Sequence, residues 1–194
     1  MTQEGVPLPA GAVLRPVGAG QWDVVAWLWQ AFREDLSPVV GGLPYPDGRY
    51  GTAPLRPFPS SDGAGHLAWR PHPNTGEDAP VGFALVGGLE ADRRSVAAFW
   101  VAPPLRRSGL GTALALAVLE RHPGPWEIGF QHENPSAGSF WRGVADALRA
   151  GRMDRDRGGR AGPAARAARP LHPLPLLTVL TLRAASQQSG RHGA

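Results

Sequence analysis

Six consecutive apolar residues, Val96-Ala97-Ala98-Phe99-Trp100-Val101, run into Ala102-Pro103-Pro104 and then, past a basic glycine-bearing stretch, into Leu110, Ala113, Leu114, Ala117 and Val118. A run of that length without polar alternation reads as a strand covered on both faces. The prolines end it, and the three-and-four spacing after Gly109 reads as a helix that His122-Pro123-Gly124 terminates. A strand delivered into a helix by a short loop calls for layers of both element types, which excludes all-helical and all-strand folds.

The flanking sequence extends the pattern. Val13 to Val17 alternates and contains Pro16, so it reads as an opening edge strand, where a missing donor is tolerated. From Gln21 to Arg33, Trp22, Val25, Ala26, Trp29 and Phe32 keep helical spacing, widened by Val24, Trp27 and Leu28. Residues 37–63 are crowded with proline and glycine and read as a long irregular loop. His66–Arg70 and Val81–Leu89 read as a hairpin across Pro71–Gly76, and Trp126–Phe130 as a further strand. Asn134 then supplies an N-cap, Pro135 a first helical residue, and Ala137, Phe140, Trp141, Val144 and Leu148 a buried face, with Gly151 as the stop.

Composition narrows the chemistry. The 194 residues contain no cysteine, so disulfides, thiolate metal sites and cysteine nucleophiles are excluded, and a cytoplasmic location is expected. All 20 basic residues are arginine, which excludes a phosphate-loop lysine and a lysine Schiff base. The net charge of +4 divides unevenly: residues 1–150 hold 12 arginines against 14 acids, and residues 151–194 hold 8 against 2. A nucleic-acid partner is therefore a question for the tail alone, and the folded part is not expected to have one. No signal-peptide pattern and no membrane-spanning run are expected. The six histidines (66, 72, 122, 132, 172 and 192) show no ligand spacing, so no metal is expected, and His122 reads as a cation in the last helical turn.

The junction Arg106-Arg107-Ser108-Gly109-Leu110-Gly111-Thr112 carries the functional signal. The first amides of a helix have no partner inside it and lie at the positive end of its dipole, so a phosphate there gains several hydrogen bonds at once. Gly109 and Gly111 let backbone approach closely, and the arginines add charge. A dinucleotide fingerprint would need glycine at position 114, which is leucine.

With the strand Trp126–Phe130 and the run Asn134-x-x-Ala137-x-x-Phe140-Trp141-Arg142 following that loop, residues 13–150, most clearly 81–145, resemble the GNAT superfamily of acyl-CoA-dependent N-acetyltransferases. The resemblance is to a bacterial branch whose helix opens in Phe-Trp-Arg. It implies a mixed α/β fold in which a central, mostly antiparallel sheet splays between two parallel strands and is flanked by helices. It also implies acetyl-CoA as co-substrate: Phe99, Trp100 and Val101 would bond the pantetheine arm, Arg106 to Thr112 would hold the pyrophosphate, and Asn134 would lie near the pantetheine. The acceptor would be a small-molecule or peptide amine attacking the thioester directly, walled by Trp29, Tyr45 or Tyr50. A homodimer is compatible with the family.

The family's acid and base do not carry over. Trp141 stands where many relatives have a tyrosine, and its indole N–H is not acidic. Ser95 stands where some relatives have a carboxylate. Glu127, His132 and Glu133 remain as candidates, each also explained as an outward strand residue or a solvated turn.

The domain is expected over 1–151, followed by an Arg/Ala/Gly/Pro-rich tail over 152–194. Between Gly151 and Pro170 stand 6 Arg, 5 Ala, 4 Gly, 2 Pro and 2 Asp, and Met153 is the sole large apolar side chain, so that part is expected to be irregular. One candidate strand lies at 176–182. The tail's composition is also that of a GC-rich gene read out of frame, which would leave an apolar sheet edge. Three functions are carried forward: an acetyl-CoA-dependent N-acetyltransferase, a non-catalytic acyl-CoA-binding or sensing module, and a protein tethered to nucleic acid through its tail.

Overall fold

Alternation along the middle strands sorts their side chains onto two faces. Leu67, Trp69, Phe83, Leu85, Ala98 and Trp100 point one way, and Ala68, Ala84, Val86 and Val101 the other. The computed structural model describes residues 5–156 and 177–184. Its seven strands lie in chain order, β1 (Val6–Leu8), β2 (Ala12–Pro16), β3 (Gly63–Pro71), β4 (Asp78–Gly87), β5 (Arg94–Val101), β6 (Gly124–Gln131) and β7 (Leu177–Ala184). Every neighbouring pair is antiparallel except β5 and β6, the pair joined by a helical crossover. The mixed α/β sheet implied by the resemblance is thus present.

Helix α1 (Trp22–Val40) covers the first face with Val25 and Trp29, seconded by Trp22 and Phe32. The second face is covered by α2 (Leu110–Arg121), through Leu110, Leu114 and Val118, and by α3 (Pro135–Asp156), through Trp141, Val144 and Leu148. Each such buried side chain contributes roughly 1.5–3 kcal/mol, so the two layers fix the sheet between them.

Several expectations are corrected. The opening edge strand is not Val13–Val17: β1 lies outside β2, turned back through Ala10 and Gly11, both at positive φ, and three residues are too short to show alternation. α1 does not end before residue 37 but continues through Pro38. The proline cannot donate to the carbonyl of Glu34, and the hydroxyl of Ser37 donates to it instead at 2.9 Å. Gly41, at φ 62°, then closes the helix, its N–H bonding the Ser37 carbonyl. α3 passes Gly151 and runs to Asp156, so that glycine is no stop. The candidate strand at 176–182 falls on β7, which pairs along β6 from Gln131↔Leu177 to Gly124↔Ala184. The remaining tail, 157–176 and 185–194, lies outside the described residues, and with it most of the arginines considered for a tether.

His122 reads as a cation in the last turn of α2, but its surroundings disfavour the charged form. It is half-buried, its Nε2 lies 2.8 Å from Nε2 of the fully buried His66, and its carbonyl accepts from the Trp126 indole. Burial first, then His122 and Arg121, push His66 down to about 3, and burial with Arg121 and Arg94 also lowers His122. The folded chain therefore holds His66 neutral while the unfolded chain protonates it below about pH 6.5. Stability should be full above pH 6.5 and fall by up to about 1.4 kcal/mol per pH unit below it, levelling near pH 3. Denaturation midpoints measured between pH 7.5 and 4.5 should drop steeply for the wild type and much less for His66→Leu.

Candidate functional site

β5 and β6 pair only at Arg94↔Trp126 and Ser95↔Glu127. Immediately beyond, Ala97 has no partner on β4, where the register passes from Val86↔Val96 to Leu85↔Ala98. Such a bulge bends its strand, and β5 leaves β6 there. The two parallel strands enclose a notch, which is why Val96 and Phe99 are half-buried and Ala97 exposed, whereas the apolar run predicted cover on both faces. An aromatic cluster stands beside the opening: the ring centroids of Phe99, Phe140 and Trp141 are 5.0 to 5.3 Å apart.

Register settles which backbone groups face the notch. Ala102 N–H bonds the Val81 carbonyl, so Val101, opposite Gly82, and Phe99, opposite Ala84, point their N–H and C=O away from β4. The Val101 carbonyl accepts from Arg106 Nε at 2.9 Å. The N–H groups of Phe99 and Val101 have no backbone partner on the β6 side, because the ladder to β6 has already ended.

At the same end of β5, the chain turns through Pro103–Leu105 into α2. Arg107 (φ 62°) and Gly109 (φ 85°) are both left-handed, with Ser108 between them not. Alternation of hand turns successive amides toward one side, the backbone arrangement from which concave anion sites are built. Ser108 Oγ donates to the Leu105 carbonyl at 2.7 Å and lies 3.4 Å from the Leu110 amide. The first intrahelical bond is Ala113 N–H to Gly109 C=O, so the amides of Gly111 and Thr112 stay open among the described residues. A Cβ built on Gly109 would meet nothing within 4 Å, so the space before this turn is free.

Two cavities meet in the notch. One, about 430 Å³, is lined by Phe99, Trp100, Val101, Arg106, Arg107 and Gly111 together with Asn134 and the start of α3. The other, about 360 Å³, reaches from residues 96–99 and 128–131 toward Trp29, Phe32, Arg33 and Leu36 of α1. Asn134, Phe99 and Trp141 border both. Asn134 is occupied as the helix cap, its Oδ1 accepting from Ala137 N–H at 3.0 Å and from Ser136 Oγ at 2.7 Å.

The other predicted residues are dispersed. Leu110 is fully buried with its N–H on Ser108 Oγ, and Thr112 sits one position beyond the cavity wall. Trp29 lines the second cavity, its indole donating to the Gly51 carbonyl at 3.0 Å. Tyr50 is buried against α1 with its hydroxyl on Glu34, whereas Tyr45 is 65% exposed. Glu127 is ion-paired with Arg93 at the closed end of the notch, and exposed His132 and Glu133 border neither cavity.

Sequence reading missed Asp35. Its Oδ2 accepts from the Trp100 indole at 2.7 Å and is ion-paired with Arg106, tying α1 to the end of β5 and to the loop. The signal was there in the spacing of Phe32, Asp35 and Leu36, had the helix been carried past Arg33. The ion pair is half-exposed and worth at most about 1 kcal/mol. The hydrogen bond to a buried indole is worth about 1.5–3 kcal/mol. Asp35→Ala should cost roughly 2–3 kcal/mol in chemical denaturation, and Asp35→Asn, which still accepts from Trp100, about 1 kcal/mol or less.

The sequence model described as Acetyltransferase (GNAT) family matches residues 22–142. No curated protein matches the chain. Among solved structures, an acetyltransferase of the GNAT family from Staphylococcus aureus Mu50 aligns at 11% identity and TM-score 0.48, over 68% of this chain and 81% of that one. A spermidine N-acetyltransferase chimera from Vibrio cholerae and hSSAT aligns at 10% and 0.45 (70% and 80%). An IAA acetyltransferase from Bacillus cereus aligns at 11% and 0.43 (69% and 75%).

Proposed function

The chain belongs to the GNAT acetyltransferase family, and from that premise we propose that it moves an acetyl group from acetyl-CoA to a primary amine held in the notch between β5 and β6. The observation that carries this is one cavity whose wall combines the freed edge of β5 with the open amides at the start of α2. An amide-bearing arm needs strand-like partners, which the N–H of Phe99 and of Val101 offer, and a diphosphate needs N–H donors, which Gly111 and Thr112 offer. Arg107 adds a cation without an acid partner among the described residues, while Arg106 is spent on Asp35 and the Val101 carbonyl.

When bound, acetyl-CoA supplies an activated thioester to the attacking amine. The chain's part is positioning: the Val101 N–H is available to a carbonyl oxygen gaining charge. Among the described residues, neither cavity is lined by histidine, glutamate, tyrosine or cysteine, and Asp35 is already engaged. The attacking amine then loses its proton to solvent, and the leaving thiolate takes one from solvent. The same lack of side-chain acid and base is what favours a second reading, a sensor that binds acyl-CoA without turnover.

Calorimetric titration with acetyl-CoA, followed by thiol release against an amine panel, tests the proposal. Binding with turnover supports it, binding without turnover on any amine favours the sensor, and absence of binding at millimolar concentration overturns both. Gly109→Val strains the left-handed turn that precedes the open amides of Gly111 and Thr112, so it should weaken acetyl-CoA at least 10-fold and leave S-acetylpantetheine, which lacks the diphosphate, within about twofold. Its left-handed strain costs about 1–3 kcal/mol, which a thermal melt reads separately.

If no protein base acts, kcat/KM should rise tenfold per pH unit up to the acceptor's own amine pKa. Acceptors with amine pKa values of about 8 and about 10 should then reach plateaus about two pH units apart. A single enzyme pKa common to all acceptors would show that a side chain takes the proton.

A further inference from the structure

Resting on the acetyltransferase reading, we propose that the amine acceptor carries a carboxylate near its amine, and that Arg33 selects for it. Helical spacing places Trp29, Phe32, Arg33 and Leu36 on the wall of the second cavity, and Arg33 is the one charged residue lining it among the described residues. Its guanidinium carbon lies 6.0 Å from the Trp29 ring centroid and 5.5 Å from that of Tyr50.

Those rings are themselves anchored. Tyr50 N–H donates to Gln30 Oε1 at 2.7 Å, Gln30 Nε2 donates to the Tyr50 carbonyl at 3.0 Å, and the Tyr50 hydroxyl donates to Glu34 at 2.8 Å. Ring faces hold a guanidinium without using its in-plane N–H donors. Among the described residues Arg33 makes no hydrogen bond and no ion pair. The two acids beside it on α1 are committed elsewhere, Glu34 to the Tyr50 hydroxyl and Asp35 to Arg106 and the Trp100 indole.

A preorganised cation with its donors unspent fits the paired oxygens of a carboxylate. A polycationic amine would find no free carboxylate in either cavity and would be repelled by Arg33. Amino acids, or amines with an equivalent acid group, are the class that offers both the nucleophile and the counter-charge.

The test compares N-acetyl amino acids of increasing side-chain size, each with its decarboxylated N-acetyl amine, binding to the full chain by calorimetry. The acid-bearing member of at least one pair should bind about 10- to 100-fold tighter. Arg33→Gln should abolish that preference while leaving the neutral member within about twofold, and Arg33→Lys should keep part of it. Equal binding within every pair, no binding by any pair, or an Arg33→Gln variant that weakens both members alike would overturn the proposal. A chain that fails to bind acetyl-CoA yet keeps the acid preference would remove the acetyltransferase reading alone. One that binds acetyl-CoA and shows no preference would remove this inference alone.

Discussion

The separation of β5 from β6 is the constraint from which the rest of the site follows. Parallel strands normally satisfy each other's backbone along their length, and here they do so for two residue pairs before the extra residue, Ala97, bends β5 away. Beyond the bulge, β5 remains paired to β4 on one side through Gly82↔Val101, so it is rigid but half-spent. A rigid strand with free donors on one edge costs stability unless solvent or a ligand satisfies them. That requirement is what the strand-like contact of the proposed function would meet.

The open edge is kept in place by long-range ties. Asp35 gathers the Trp100 indole and the Arg106 guanidinium, while Arg106 also reaches the Val101 carbonyl. α1 is thereby fixed to the last residues of β5 and the loop before α2, although Asp35 lies 65 residues before Trp100. On the other side of the sheet, Phe99 is wedged against Phe140 and Trp141 from α3. The bulky indole at 141 thus has a packing role that a more polar ring would fill less well, and its lack of an acidic proton belongs to the same choice.

Much of this was legible in the sequence, for local reasons. The strand at 96–101, the loop at 106–112 and the Asn134-Pro135 helix start each depend on short-range patterning, and each lies where spacing puts it. What escaped depended on partners distant in sequence or on compensation. The end of α1 was misjudged because Pro38 reads as a breaker unless the Ser37 hydroxyl is known to take over the Glu34 carbonyl. The bulge at Ala97 leaves no mark in an unbroken apolar run, since small and large apolar residues are equally compatible with a regular ladder. His122 looked like a helix-end cation because nothing near it in sequence announces His66, 56 residues earlier. Spacing alone marks Arg33 as the end of a helix, and the ring of Tyr50 that lies 5.5 Å from its guanidinium carbon is 17 residues further on.

The two ends of the notch are built from different materials, and this sets what each can discriminate. At the α2 end the donors are backbone amides, so the demand on sequence falls on a left-handed glycine, a second left-handed residue and the start of a helix. Such a site recognises a charge and a shape that many chains can recognise, and its motif is correspondingly short. At the α1 end the polar group is a side chain, Arg33, whose orientation depends on Trp29, Tyr50, Gln30 and Glu34 together. A site made of several interlocked side chains is specific because each member must be present. On the proposed function, the acetyl donor would lie at the backbone end, and whatever distinguishes the acceptor would lie against the helix that the rings and the cation share.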